Sequence, residues 1–242
     1  MKAALLADVH ANYPALCAAL DRAEALGCER VLVAGDLVGG GPHPVETLRL
    51  LRSVGADCVT GNVDRKVLRV ATDPEAAGKA VESPKKANWF WTWNALGAEE
   101  RRWLGALPGE VRLSLGGAPI RLFHGTPRSD EEYIFPSITP EAFADLRGDD
   151  AAGVWVFGHS HIPFTKVIRG IRLVNCGSAG RPVDGDPRGA LAVLDLAAFP
   201  AVRVSILRFD WDLARLTADI RDRNVPGALP GEFARGIKIK GA

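Results

Sequence analysis

Val154-Trp155-Val156-Phe157-Gly158-His159-Ser160-His161 is the stretch whose reading decides the fold. Four apolar residues closed by a glycine read as a buried strand that stops at its own carboxyl end, where α/β sheets present their ligands. Two histidines one residue apart then occupy the loop, and neighbours at i and i+2 of a turning segment can both reach inward. A surface loop that happens to carry both is the plainer account. Composition argues against it, because the chain has only five histidines and places two of them here.

Other apolar runs end in the same way. Residues 2–7 form a short run that ends in Asp8, Val9, His10, Ala11 and Asn12. Pro14 suits the first turn of a helix, with Leu16, Ala19, Leu20, Ala23 and Leu26 on one face and Gly27 closing it. Residues 30–34 predict a second strand that ends in Gly35-Asp36. A glycine-rich loop, Gly39 to Gly41, leads through Pro42, His43 and Pro44 into a helix bearing Val45, Leu48, Leu51 and Val54. A third strand over residues 57–60 ends in Gly61-Asn62-Val63-Asp64. Strand and helix alternate with short connections, which favours parallel βαβ units.

Residues 65–107 read as helices and hold four of the six tryptophans (Trp89, Trp91, Trp93 and Trp103), expected to pack onto the sheet. Strands follow at residues 111–115 and 120–123, the second ending in His124-Gly125. Further strands are expected at 164–168, 171–174, 190–194 and 202–207. Their tight spacing favours antiparallel hairpins and hence a mixed second sheet. Residues 210–223 predict an amphipathic helix with a solvated Arg/Asp face. The tail, 226–242, is expected to be loosely held. No repeat or linker divides the chain, so one domain over residues 1–242 is expected.

Length and composition bound the partners. At 242 residues, 47% hydrophobic and 24% charged, the chain is of ordinary globular type and can bury a substantial core. Lys plus Arg number 30 against 29 Asp plus Glu, so no long-range field favours nucleic acid or an anionic membrane. Cys17, Cys28, Cys58 and Cys176 form no CxxC pair and read as reduced thiols, which with the lack of a signal or spanning segment points to the cytoplasm. Homo-oligomerisation is left open.

Asp8, His10, Asp36, Asn62, His124, His159 and His161 therefore stand at strand ends. Carboxylate, imidazole and amide oxygen together suit Mn, Fe or Zn better than an all-oxygen calcium site. Seven ligands are too many for one tetrahedral ion but fit two ions that share a bridging carboxylate. Such pairs, typically ~3.5–4 Å apart, clamp the attacking and leaving oxygens of an in-line displacement at phosphorus, with a bridging hydroxide as nucleophile. Each motif alone is weak; the joint order is hard to obtain by accident.

Asp8-Val9-His10, Gly35-Asp36, Gly61-Asn62-Val63-Asp64, His124-Gly125 and Gly158-His159-Ser160-His161 resemble the five motifs of the calcineurin-like metallophosphoesterase family. Asp36-Leu37-Val38-Gly39 with Gly41-Pro42, the segment from His124 to Tyr133, and that from Asn175 to Asp186 resemble its small bacterial branch. The resemblance implies a four-layer α/β/β/α sandwich of two mixed sheets. It implies one ion on Asp8, His10 and His161, another on Asn62, His124 and His159, and Asp36 between them. Two divalent ions are implied as cofactors, Mn first, with Fe, Zn or Ni as alternatives. The expected activity is hydrolysis of a small phosphodiester, phosphomonoester or dinucleoside polyphosphate. A nuclease of the same fold and a non-catalytic, metal-binding interaction subunit are the alternatives.

One departure stands out. Where many relatives carry a histidine that serves as general acid, this chain has Val63, which leaves Asp64 without the partner it usually orients. His43 is expected to reach the site as a substitute acid, beside Asp36 and Asp64 in the catalytic set. Asn62, Arg128 and Arg181 are expected to bind substrate, the arginines because guanidinium matches phosphate bidentately.

Overall fold

Alternation along β1 (Lys2–Leu6) sends Ala3 and Leu5 to one apolar cluster and Leu6 to another, so this strand is buried on both faces. The structure is a computed structural model and describes residues 1–70 and 83–238. After β1 come α1 (Tyr13–Ala25), β2 (Arg30–Ala34), α2 (Pro44–Ser53), β3 (Asp57–Val59) and α3 (Asn62–Arg69). Then follow α4 (Pro84–Ala95), α5 (Ala98–Ala106), β4 (Glu110–Leu115), β5 (Ala118–Phe123) and α6 (Pro140–Arg147). β6 (Val154–Phe157), β7 (Phe164–Ile168), β8 (Ile171–Asn175), β9 (Gly189–Ala198), β10 (Ala201–Phe209), α7 (Leu213–Asp222) and α8 (Pro230–Arg235) complete the described chain.

Two five-stranded sheets result, ordered β10-β9-β1-β2-β3 and β4-β5-β6-β8-β7. Both are mixed. β1, β2 and β3 are parallel, as are β5, β6 and β8, while β9, β10, β4 and β7 pair antiparallel. The sheets face each other across Leu5, Leu32, Val59, Ile120, Leu122, Val154 and Val156. Helices α1 to α5 cover the outer face of the first sheet through Leu16, Leu48, Leu51, Val67 and Leu104. Phe143 of α6 covers the outer face of the second, packed on Trp155 and Phe123. These layers make the expected α/β/β/α sandwich. Truncating a fully buried leucine such as Leu5 to alanine would cost about 2–5 kcal/mol, the usual range for such a cavity.

Three expectations change in detail. The β9–β10 hairpin joins the first sheet beside β1 rather than the second. The tail is not loose as far as residue 238: α8 buries Phe233 against Leu216, Ile220, Val225 and Ala228. Trp89, Trp93 and Trp103 are half-buried on the helical core, but Trp91 turns to the cluster around Phe233. The helix expected through residues 71–82 and the tail beyond 238 lie outside the described residues. All four cysteines are free thiols. Among the described residues, no helix is long and apolar enough to cross a membrane.

Candidate metal centre

The parallel strands of both sheets end at one place. The loops after β1 and β2 are zipped together by the Asp8 N–H to Gly35 O (3.0 Å), His10 N–H to Asp36 O (2.9 Å) and Ala11 N–H to Leu37 O (2.9 Å) bonds. Asp8, His10, Asp36, His159 and His161 all have positive φ, between 50° and 65°, although none is glycine. Left-handed backbone is uncommon for such residues and persists where surrounding structure over-determines it. Glycines make the convergence possible. A Cβ on Gly61 would strike the Asp36 carboxylate, and one on Gly158 would lie 2.5 Å from Asp8 Oδ2.

Carbonyls lock three imidazoles in one tautomer. Nδ1–H of His10 donates to Gly39 O (2.9 Å), that of His124 to Ala34 O (2.7 Å) and that of His161 to Arg181 O (2.6 Å). A carbonyl only accepts, so each Nδ1 carries a proton, and in the neutral ring each Nε2 turns its lone pair inward. His10 Nε2 and His161 Nε2 then face each other at 3.3 Å, two acceptors with no proton between them. His124 Nε2 faces two more acceptors, Asn62 Oδ1 at 3.2 Å and Asp36 Oδ1 at 3.5 Å. His161 Nε2 lies 3.3 Å from Asp8 Oδ1, and that oxygen, like His159 Nε2, is buried without a hydrogen-bond partner among the described residues. Lone pairs opposed this way in a buried site suit a cation. The donor set fits a divalent metal.

Two groups of ligand atoms are each mutually within 4.8 Å: Asp8, His10 and His161, and Asp8, Asp36 and His124. Asp36 aims Oδ2 at His10 Nε2 (3.6 Å) and Oδ1 at His124, so its two oxygens serve different imidazoles. His159 Nδ1 approaches His124 Nε2 at 3.1 Å.

Electrostatics follow the burial. Burial pushes the His10 imidazolium well down, helped by the charges on His161 and Arg181. Burial and the His124 charge push His159 down to about 4. At Asp8 burial raises the carboxyl, but the surrounding imidazoles, His161 first and then His124 and His10, outweigh it and hold the group below the usual range. Asp36 is raised by burial despite His124. His124 is raised, because Asp36 and Asp8 overcome the opposing effect of burial.

The remaining expected residues divide. Asn62 joins the cluster, and its Nδ2 donates to Glu131 Oε2 (3.1 Å). Asp64 is fully buried behind it and accepts the N–H groups of Leu37 (3.2 Å), Val38 (3.0 Å) and Gly61 (2.9 Å). It is thus a positioning residue that ties the Asp36 and Asn62 loops together, not a group that meets substrate; burial and the nearby Asp36 charge push its carboxyl up to about 7. Val63 N–H donates to Asp36 Oδ1 (2.8 Å).

His43 is not brought to the cluster. It precedes α2, its N–H is held by Ala11 O (3.0 Å), and its Nε2 bonds Asp219 Oδ2 of α7 at 2.8 Å. Arg128 points outward to Asp145 of α6 (2.8 Å) and Glu132. Arg181 does line the cleft beside His10, with its Nη2 donating to Glu232 Oε2 (2.6 Å).

Sequence reasoning missed several neighbours. Tyr133 stacks on the His159 ring, with centres 4.1 Å apart and planes 16° from parallel. Asn88 knits three segments, accepting from Gly40 N–H (2.7 Å) and donating to Pro226 O (3.0 Å). Lys85, Trp89 and Lys238 line the cleft. Tyr133 falls inside the quoted His124 to Tyr133 segment; the others carry no local signal.

A two-sheet sandwich with imidazoles and carboxylates gathered at the strand ends defines a metallophosphoesterase fold, and known proteins agree. The family model of the calcineurin-like phosphoesterase superfamily domain matches residues 1–198, and the chain belongs to that family of phosphoric ester hydrolases. A metallophosphoesterase from Sphaerobacter thermophilus is 28% identical and superposes with a TM-score of 0.79, covering 98% of this chain and 99% of that one. A hypothetical protein from Pyrococcus horikoshii shares the fold at a TM-score of 0.86, with 22% identity over 98% of this chain and 99% of that one. An uncharacterized protein of Methanocaldococcus jannaschii is 27% identical, covering 92% of this chain and 93% of its own length.

Proposed function

We propose that the chain is a dinuclear, metal-dependent phosphoesterase acting on small phosphoesters, with manganese the first candidate. The observation that carries this reading is the Asp36 carboxylate, whose two oxygens face His10 and His124 separately. Asp8, His10 and His161 would hold one ion, Asn62, His124 and His159 the other, and Asp36 both. Ions bound there would acidify the attacking water and neutralise charge on the phosphoryl oxygens.

The chain's own residues do the rest. The three carbonyl-locked imidazoles keep their lone pairs inward, so ligation needs no tautomer change. Asp64 fixes the distance between the Asp36 and Asn62 loops, and Tyr133 covers His159 from solvent. Arg181, which lines the cleft beside His10, would meet a phosphate there.

Hydrolysis of paired aryl phosphomonoester and phosphodiester substrates by metal-stripped protein given Mn tests the reading, with Asp36→Asn as control. Metal-dependent turnover lost in the control is expected. Failure of the stripped chain to take up metal would overturn it.

A further inference from the structure

Beside the cluster lies a cleft of about 100 Å³ that shares His10 with it and is walled by Gly40, Val63 and Trp89. Its charged lining is unbalanced. Among the described residues, Lys85, Arg181 and Lys238 face one carboxylate, Glu232, which pairs with Arg181. Lys85 and Lys238 make no ion pair among the described residues. Lys85 instead lies within reach of the like charges of Lys238, Lys66 and Arg181, opposed only by Glu131, which already pairs with Lys66 at 2.6 Å. Cations crowded without counter-charge mark a place shaped for an anion. The lysine is also held in position, because its Nζ lies 5.5 Å from the Trp89 ring centre.

The walls are built rather than accidental. Lys85 and Trp89 stand on α4, Lys238 follows α8, and Asn88 ties α4 both to Gly40 and to Pro226. Gly227 packs so closely on Pro84 that a Cβ there would strike its backbone. The cleft thus faces the cluster on one side and three cations on the other, with a valine where a proton donor would have to stand.

Resting on the phosphoesterase reading above, we propose that this cleft holds a second phosphoryl group, so that the bond cleaved is the P–O–P link of a linear polyphosphate, inorganic or nucleoside-capped. Water adds to one phosphorus and the bridging P–O bond breaks. The bridging oxygen departs with the electron pair as part of the leaving phosphate, and the proton from water passes to solvent. An alkoxide leaving group would need protonation. A phosphate leaves as an anion whose own pKa is about 6, and Lys85 and Lys238 stabilise it by charge without giving up a proton.

The first arm of the test needs no catalysis. Metal-stripped protein titrated calorimetrically with inorganic tripolyphosphate is expected to bind it, and Lys85→Ala/Lys238→Ala to bind about tenfold more weakly. Lys86→Ala, one position along and outside the cleft, is expected to bind as the parent does. In the second arm, with Mn restored, the kcat/KM ratio of tripolyphosphate to an aryl phosphodiester falls about tenfold in the double variant, mainly through KM. A nucleoside triphosphate turned over in preference to tripolyphosphate would assign the substrate to the nucleoside-capped class, and equal rates to the chain itself. Equal tripolyphosphate affinity in parent and double variant, or an aryl diester cleaved while both polyphosphates are untouched, overturns the proposal and leaves the phosphoesterase reading standing. Metal-loaded protein that turns over none of the substrates overturns that reading instead.

Discussion

The metal cradle and the cationic cleft adjoin, yet they are made differently. In the cradle, Asp8, His10, Asp36 and His124 are at most 2% exposed, and each side chain is aimed by a backbone carbonyl, a backbone N–H or a left-handed residue. It lies wholly inside residues 1–198, the part that matches the family. The cleft takes Gly227, Ala228, Glu232, Phe233 and Lys238 from beyond that part, and its lysines are exposed. Backbone geometry shapes the cradle; side chains, several of them on a later segment, line the cleft.

The largest effect expected from breaking this contrast is at Asp36. Asp36→Asn keeps the shape but removes the charge between two imidazole sets, and metal-dependent turnover should fall on the order of 10³-fold, read from initial rates. Next comes Gly158→Ala, whose new Cβ meets Asp8 Oδ2 and Ala7. Metal affinity, measured by chelator competition, should drop roughly 10–100-fold, as when a group orienting a ligand is displaced. Lys238→Ala on the cleft should leave that affinity as it is, and an equal loss in both would erase the distinction between the regions.

Asp64→Asn is smaller. An amide nitrogen now confronts backbone N–H groups that had an oxygen, and stability should fall by about 1–3 kcal/mol in urea unfolding.

His43 gives the smallest effect. Burial, opposed by Asp219, lowers its pKa below the ordinary 6.5. The unfolded chain therefore binds a proton near that pH which the folded chain still refuses, so stability is lost as pH falls through this window. His43→Gln removes the difference, and its melting temperature should fall less than the parent's between pH 7 and pH 5.

Much of this was legible because the signals are local. Asp8, Asp36, Asn62, His124 and His159 each follow directly on an apolar run or a glycine, with His10 and His161 two positions further on, and an apolar run on both faces of a strand leaves it little choice but the interior. Side-chain direction in loops is a different matter. His43 is turned by Asp219, 176 residues away, and Arg128 by Asp145 on α6. Nothing near either residue announces that partner. The tail misled for a similar reason: its prolines and glycines suggest slack chain, whereas Phe233 is seated by residues of α7 that the local pattern does not connect to it. Asp64 was recognised by position, but its three backbone partners appear only once two loops are folded together.

The cluster also straddles a seam. Asp8, His10, Asp36 and Asn62 follow strands of one sheet; His124, His159 and His161 follow strands of the other. An ion ligated from both sides would act as a rivet that has to be drawn before the layers part. Its binding free energy would then be added to that of folding, as RT ln(1 + [L]/Kd) for each ion. Heat resistance would become a gauge of metal occupancy that needs no substrate at all.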